Sequence, residues 1–136
     1  CNQMMLQDIG QYLQEGGCGK VGKDIFFSTR PDQPVECMTL YEYQGQPENQ
    51  IAGTETPGLQ VCVRTKRYPD GYAELRKAHK ALKEIGFEDG ELPEGVVING
   101  VQYFRVQPAM SGIVQDRDDN GNLLLKRSYY ITKEEE

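Results

Sequence analysis

The chain has 136 residues and carries a formal net charge of −6, from 21 acidic and 15 basic side chains. This length fits a single domain, residues 1–136, which can bury about 70% of its unfolded surface without a metal or a disulfide. The acidic balance argues against nucleic-acid recognition, the absence of an 18-residue apolar run argues against a membrane span, and four widely spaced cysteines predict free thiols in a cytosolic protein.

The first part of the chain predicts one helix, two strands and a long loop. Apolar residues recur at helical spacing over residues 5–13 and predict an N-terminal helix, which Gly10 weakens. Apolar and aromatic runs at 24–28 and 36–43 predict two strands. Residues 44–58 contain two prolines and three glycines. A loop of this length in a small domain is usually functional or orders on binding.

A strand followed directly by a helix is predicted between residues 59 and 86. Residues 59–66 alternate between apolar and polar side chains, which indicates a half-buried strand. The breaker cluster Pro69-Asp70-Gly71 suits a helix start, and apolar residues then recur at helical spacing to the end of the range. The polar surface of this helix predicts ordinary ion pairs, among them Lys80 with Glu84.

The last part of the chain predicts two hairpins. Asn99-Gly100 lies between two apolar runs within 96–106, and this dipeptide favours a tight hairpin turn because both positions accept positive φ. A second hairpin is predicted over 113–132, with its turn at 118–121, followed by a charged tail at 133–136. The predicted fold is α+β: an antiparallel or mixed sheet with the N-terminal helix and the central amphipathic helix packed on one face.

One motif resembles the start of a calcium-binding loop. Asp116, Asp118, Asn120 and Gly121 match the first half of an EF-hand loop, but its twelfth position is Arg127, a cation that cannot bind calcium. The flanking residues also predict strands rather than helices. A hairpin tip is therefore the favoured interpretation, and a small calcium- or ligand-binding module using this loop is the alternative function.

The remaining candidate sites favour structural roles. His79, the only histidine, lies on the helix stripe and is predicted to be a packing residue rather than a catalytic base. Residues 16–23 are rich in Gly and Lys, but their order does not match a phosphate-binding loop, so a connector is predicted. Arg64, Lys66 and Arg67 are predicted to face outward at a strand end. No catalytic, cofactor-binding or metal-binding residue is predicted.

The order of these elements resembles the tail terminator, or minor capsid, proteins of long-tailed bacteriophages and prophages. The resemblance covers residues 4–132 and rests on patterns of helices and strands. It is carried by the N-terminal helix with Met5, Leu6, Ile9, Tyr12 and Leu13, the strand Leu59–Arg64, the helix with Tyr72, Leu75, Ala78 and Leu82, and the final strand ending at Tyr129-Tyr130-Ile131.

The resemblance implies a structural virion protein without catalysis or cofactor. Such proteins form a ring, commonly a hexamer, that caps the tail tube and later joins the head connector, after assembly in the host cytoplasm. The resemblance implies that the 44–58 loop orders on contact with tail or head proteins and that exposed strand edges pair between subunits. The basic residues Arg64, Lys66 and Arg67 and the acidic segment 134–136 would steer docking.

Overall fold

The structure, a computed structural model, describes residues 5–43, 54–86, 96–109 and 113–134. In this part of the chain, two helices pack on one face of an eight-stranded sheet around a common apolar core. This arrangement confirms the predicted α+β class. No helix in the described ranges is long and apolar enough to cross a membrane.

The elements follow the predicted order, with one additional short strand. Their bounds are α1 (Met5–Glu15), β1 (Ile25–Phe27), β2 (Cys37–Tyr43), β3 (Thr54–Glu55), β4 (Gly58–Thr65), α2 (Tyr68–Gly86), β5 (Val96–Ile98), β6 (Val101–Pro108), β7 (Val114–Arg117) and β8 (Leu123–Glu134). The main strand order is β1-β2-β4-β8-β6-β5, while β3 and β7 pair with β8. The sheet is mixed because β1 runs parallel to β2 and every other described pair is antiparallel.

The helix α1 forms although glycine occupies its centre. Ile9 and Leu13 are fully buried against the core, and this apolar face stabilises the helix more than intrinsic propensity does. Gly10 has a packing role, because a Cβ at this position would lie 2.5 Å from the Phe27 ring. The glycine that weakens the sequence pattern therefore permits close contact between α1 and β1.

The strand β4 is buried on both faces, so the prediction of a half-buried strand was wrong. It pairs with β2 on one side and β8 on the other. On the face away from the helices, Cys62 is 1% exposed and Arg64 is 6% exposed. The Arg64 guanidinium donates hydrogen bonds to the carbonyl groups of Pro31, Pro34 and Val35. The connection after β1 thus covers the face that the alternating pattern assigned to solvent.

The strand β8 connects the two halves of the sheet. It pairs with β4 and β3 along one edge and with β7 and β6 along the other. Two predictions are corrected here. Lys133 and Glu134 belong to β8 rather than to a charged tail, and they pair with Glu55 and Thr54, which were assigned to the 44–58 loop. Residues 44–53 of that loop and residues 135–136 lie outside the described ranges.

Candidate functional site

The hairpin tip between β7 and β8 is built by hydrogen bonds to Asp118. Its Oδ1 accepts from the backbone N–H groups of Asn120 at 3.0 Å and Asn122 at 2.9 Å, and its Oδ2 accepts from the Asn122 side chain at 3.1 Å. This pattern confirms the predicted turn. Asp116 lies 3.7 Å from Lys126. The described residues contain no group of three ligating side chains suited to a metal, and calcium binding by this loop stays the alternative interpretation.

His79 is a half-buried residue of α2 that contacts β8. Its Nδ1 lies 2.8 Å from the Tyr129 hydroxyl group, and the two rings lie 5.9 Å apart. The predicted packing role is confirmed. Burial lowers the pKa of His79, and the cations of Arg127, Lys83 and Arg76 lower it further. Burial raises the pKa of Tyr129 to about 12, so its hydroxyl group stays neutral.

The cations around His79 line a groove between α2 and β8. We call it the basic groove and define it by Tyr72, Arg76, His79, Lys80, Lys83 and Arg127. The groove has a volume of about 290 Å³ and continues into a neighbouring groove of about 460 Å³ toward Tyr68 and Gln115. Neither groove is lined by Asp or Glu. The surface therefore concentrates positive charge on an acidic chain.

The four cations of the basic groove form no ion pair with a carboxylate of the described chain. The predicted pair between Lys80 and Glu84 is not among the ion pairs of these residues. In addition, Arg127 Nε is buried and has no hydrogen-bond partner. Leaving a buried charged donor unpaired costs free energy. The exposed cations Arg76, Lys80 and Lys83 make this groove suited to an anionic group from outside the described chain.

The cluster of cations in the structure lies at a different place from the predicted basic surface. Arg64, expected to face outward, is buried and bonded to carbonyl groups because its side of β4 is covered. Lys66 and Arg67 are exposed, as predicted. The groove residues Arg76, Lys80 and Lys83 were missed, although their i, i+4 and i+7 spacing places them on one helix face. Arg127 reaches the same place from β8, which the sequence pattern does not reveal.

Exposed strand edges provide a second candidate surface. All four residues of β7 are exposed, and within the described ranges β7 pairs only with β8. The outer strands β1 and β5 have three residues each. Val114 on β7 is 48% exposed and Val97 on β5 is 64% exposed. An edge of this kind presents backbone N–H and C=O groups that a further strand can pair with.

Comparison with known proteins identifies the family. A family model described as "Bacteriophage tail terminator protein" matches residues 12–135. The chain belongs to this family. A chain from the solved structure "Virion of native gene transfer agent (GTA) particle" is similar to the tail terminator described here, with a TM-score of 0.66 and 10% sequence identity. That match covers 96% of this chain and 95% of the other. No curated protein matches the sequence.

Family membership confirms the resemblance drawn from the order of helices and strands. This tail terminator is a structural protein of a phage-type virion and not an enzyme. The similarity to the gene transfer agent chain shows a shared fold, because at 10% identity only the architecture is comparable. Both matches extend over most of the chain.

Proposed function

We propose that this tail terminator assembles with copies of itself into a ring, of six subunits, that caps the tail tube and later joins the head connector. The observation that carries the proposal is the family match over residues 12–135. The proposal is supported by the exposed β7 edge and by the basic groove, since both are surfaces suited to a protein partner.

A ring requires that one surface of each subunit contact a different surface of the next. Such a head-to-tail contact closes when its rotation divides a full turn and otherwise forms an open filament. The exposed β7 edge supplies one candidate contact through backbone pairing. We expect the segment 44–58, predicted as a long loop, to contact tail or head proteins. Thr54 and Glu55 of this segment form β3.

Assembly in the host cytoplasm is part of the same proposal. Cys18, Cys37 and Cys62 are buried free thiols, and burial raises the pKa of each thiol group. A raised pKa favours the neutral thiol over the reactive thiolate. These cysteines therefore suit a protein that folds under reducing conditions without disulfides.

The ring is tested by measuring the mass and shape of the purified chain. Multi-angle light scattering over rising protein concentration is expected to show a discrete oligomer, and negative-stain microscopy is expected to show particles with a central opening. Purified tail tubes should then acquire these particles at their ends and not along their sides. A strict monomer at every concentration and salt, with no binding to tube ends, would contradict the proposal.

A further inference from the structure

The four cations of the basic groove favour an acidic binding partner. Arg76, Lys80, Lys83 and Arg127 lie around His79, and no carboxylate lines the groove. The chain as a whole has six more acidic than basic side chains, from 21 against 15. Four cations gathered at one place on an acidic chain repel one another unless an anion lies among them. The groove is thus electrostatically complementary to the rest of the protein's own surface.

The exposed cations of the groove are suited to bind carboxylates. Arg76, Lys80 and Lys83 are exposed, and an arginine side chain binds carboxylates through paired N–H groups. The positive surroundings also act on His79, whose pKa is lowered by burial and then by Arg127, Lys83 and Arg76. A carboxylate in the groove would reduce the mutual repulsion of these cations.

The shape of the surface favours a peptide segment over a small ion. The groove continues past Tyr72 toward Tyr68, and these two rings lie 5.8 Å apart. Tyr68 is 41% exposed and Tyr72 is 37% exposed. Exposed tyrosines beside arginine are typical of protein interfaces. The occupant is therefore expected to carry several carboxylates on an extended chain.

We propose that the basic groove of one copy binds the acidic run Glu134–Glu136 of a neighbouring copy, and that this contact repeats from head to tail around the ring. The proposal rests on the ring proposed above and names the surfaces that build it. The run contains three consecutive glutamates. Glu134 is exposed at the end of β8, where its Oε1 accepts a hydrogen bond from the N–H group of Gln102 at 2.6 Å.

The run must come from another copy. Arg127 and Glu134 are seven residues apart on the same strand, so Arg127 and the start of the run are separated by roughly 23 Å in an extended strand. Two further residues cannot span that distance back to Arg127 of their own chain. Because donor and acceptor lie at different places on the subunit, their contact is heterologous, which is the type that generates rings.

The acidic residues of the β7–β8 tip suit the groove less well than the run does. At the β7–β8 tip, Asp118 already accepts three hydrogen bonds, and Asp116 lies 3.7 Å from Lys126. Arg117 lies within the same tip and would add a fifth cation to the groove. The run Glu134–Glu136 contains no cation and therefore offers the stronger electrostatic match.

A charge-reversal experiment with mixing tests the contact. The groove variant carries Lys80→Glu and Lys83→Glu, and the run variant carries Glu134→Lys, Glu135→Lys and Glu136→Lys. The control carries Lys20→Glu and Lys23→Glu, which are exposed in the connector after α1 and change the net charge as the groove variant does. Circular dichroism with thermal melting establishes that each variant is folded, and sedimentation velocity measures assembly.

Each charge-reversed variant alone is expected to raise the dissociation constant of self-association by roughly tenfold or more, since close interfacial charge pairs couple strongly. The control is expected to assemble like the unmodified chain. An equal mixture of the two variants should regain assembly, because every groove then meets a run of opposite charge. Raising the salt concentration should weaken the assembly of the unmodified chain.

Distinct results would overturn the inference and the proposed ring. If the unmodified chain forms a ring and the groove variant forms it equally well, the inference is wrong and the ring stands. A mixture that stays unassembled also overturns the inference, because an intermolecular charge pair must be restored by the swap. If reversing Asp116 and Asp119 weakens assembly while reversing the run does not, the occupant is the hairpin tip. An unmodified chain that never assembles overturns the ring itself.

Discussion

Two sets of charged side chains differ in where their partners lie. In the first set, Asp8 accepts hydrogen bonds from Asn99 at 2.8 Å and Tyr103 at 2.7 Å. Lys133 lies 2.9 Å from Glu55. Arg64 completes this set through its three carbonyl partners. The second set is the basic groove, whose cations have no carboxylate partner in the described chain.

The difference separates charges that stabilise the fold from charges that are suited to assembly. A buried charge without a partner is strongly destabilising, whereas a fully hydrogen-bonded one connects the elements around it. Asp8, Arg64 and Lys133 each connect elements that are distant in sequence. The groove cations are mostly exposed, so they tolerate the absence of a partner until another subunit supplies one.

The largest expected effect in the first set is from Arg64→Ala. The substitution removes a buried guanidinium and leaves the carbonyl groups of Pro31, Pro34 and Val35 without their donor, which is expected to cost about 3–5 kcal/mol. Urea unfolding followed by circular dichroism measures the loss. The control is Lys66→Ala, an exposed neighbour that is expected to change stability by about 0.5 kcal/mol or less. Equal effects of the two substitutions would show that Arg64 has no special role.

A smaller loss is expected from Asp8→Ala. Asp8 is fully buried, and its removal leaves the Tyr103 hydroxyl group and the Asn99 amide without their acceptor. We expect a loss of about 2 kcal/mol, measured by the same unfolding experiment. Asp8→Asn keeps one acceptor oxygen and is expected to lose less. An Asn variant as unstable as the Ala variant would contradict this explanation.

The lowered pKa of His79 in the basic groove should make the free energy of unfolding depend on pH. Burial, and then the neighbouring cations, hold the pKa of His79 below the usual value, so the unfolded chain binds the His79 proton more tightly than the folded chain does. This contribution to stability is complete above the unfolded pKa of about 6.5 and is lost as the pH falls through the folded pKa. Unfolding free energies from pH 8 to pH 5 should therefore fall less steeply for His79→Gln.

A single substitution tests the cause of the His79 shift. Lys83→Ala removes one of the cations that lower the pKa of His79 and should move that pKa upward toward its usual value. NMR titration of the imidazole resonances measures the change. Lys23→Ala, which removes an exposed cation outside the groove, should leave the titration where it is. A titration that Lys83→Ala does not move would show that Lys83 does not contribute to the shift.

The smallest expected effect is that of calcium. The oxygens of Asp118 already accept hydrogen bonds within the turn, and Arg127 occupies the position where an EF-hand loop has its bidentate glutamate. Millimolar calcium is therefore expected to leave the melting temperature unchanged and to give no heat in calorimetry. A saturable shift, lost in Asp116→Asn, would favour the alternative of a calcium-binding module.

Local patterns predicted most of the elements because each pattern has a direct physical cause. The helical spacing in α2 and the turn at Asn99-Gly100 were both confirmed, the latter with φ values of 51° and 82°. The burial of β4 could not be predicted in the same way. Its polar positions Cys62 and Arg64 follow the alternation of a half-exposed strand, and only the fold shows that another segment covers them.

Short-range patterns specify the element order and the α+β class, because helix spacing, strand alternation and turn residues act over short distances. Which charges have partners depends on the folded arrangement of the elements. It brought Lys133 against Glu55 and Asp8 against Tyr103. It also placed Arg127 of β8 beside the cations of α2. These contacts join residues far apart in the chain, and their pairing depends on the sheet register, which no local pattern specifies.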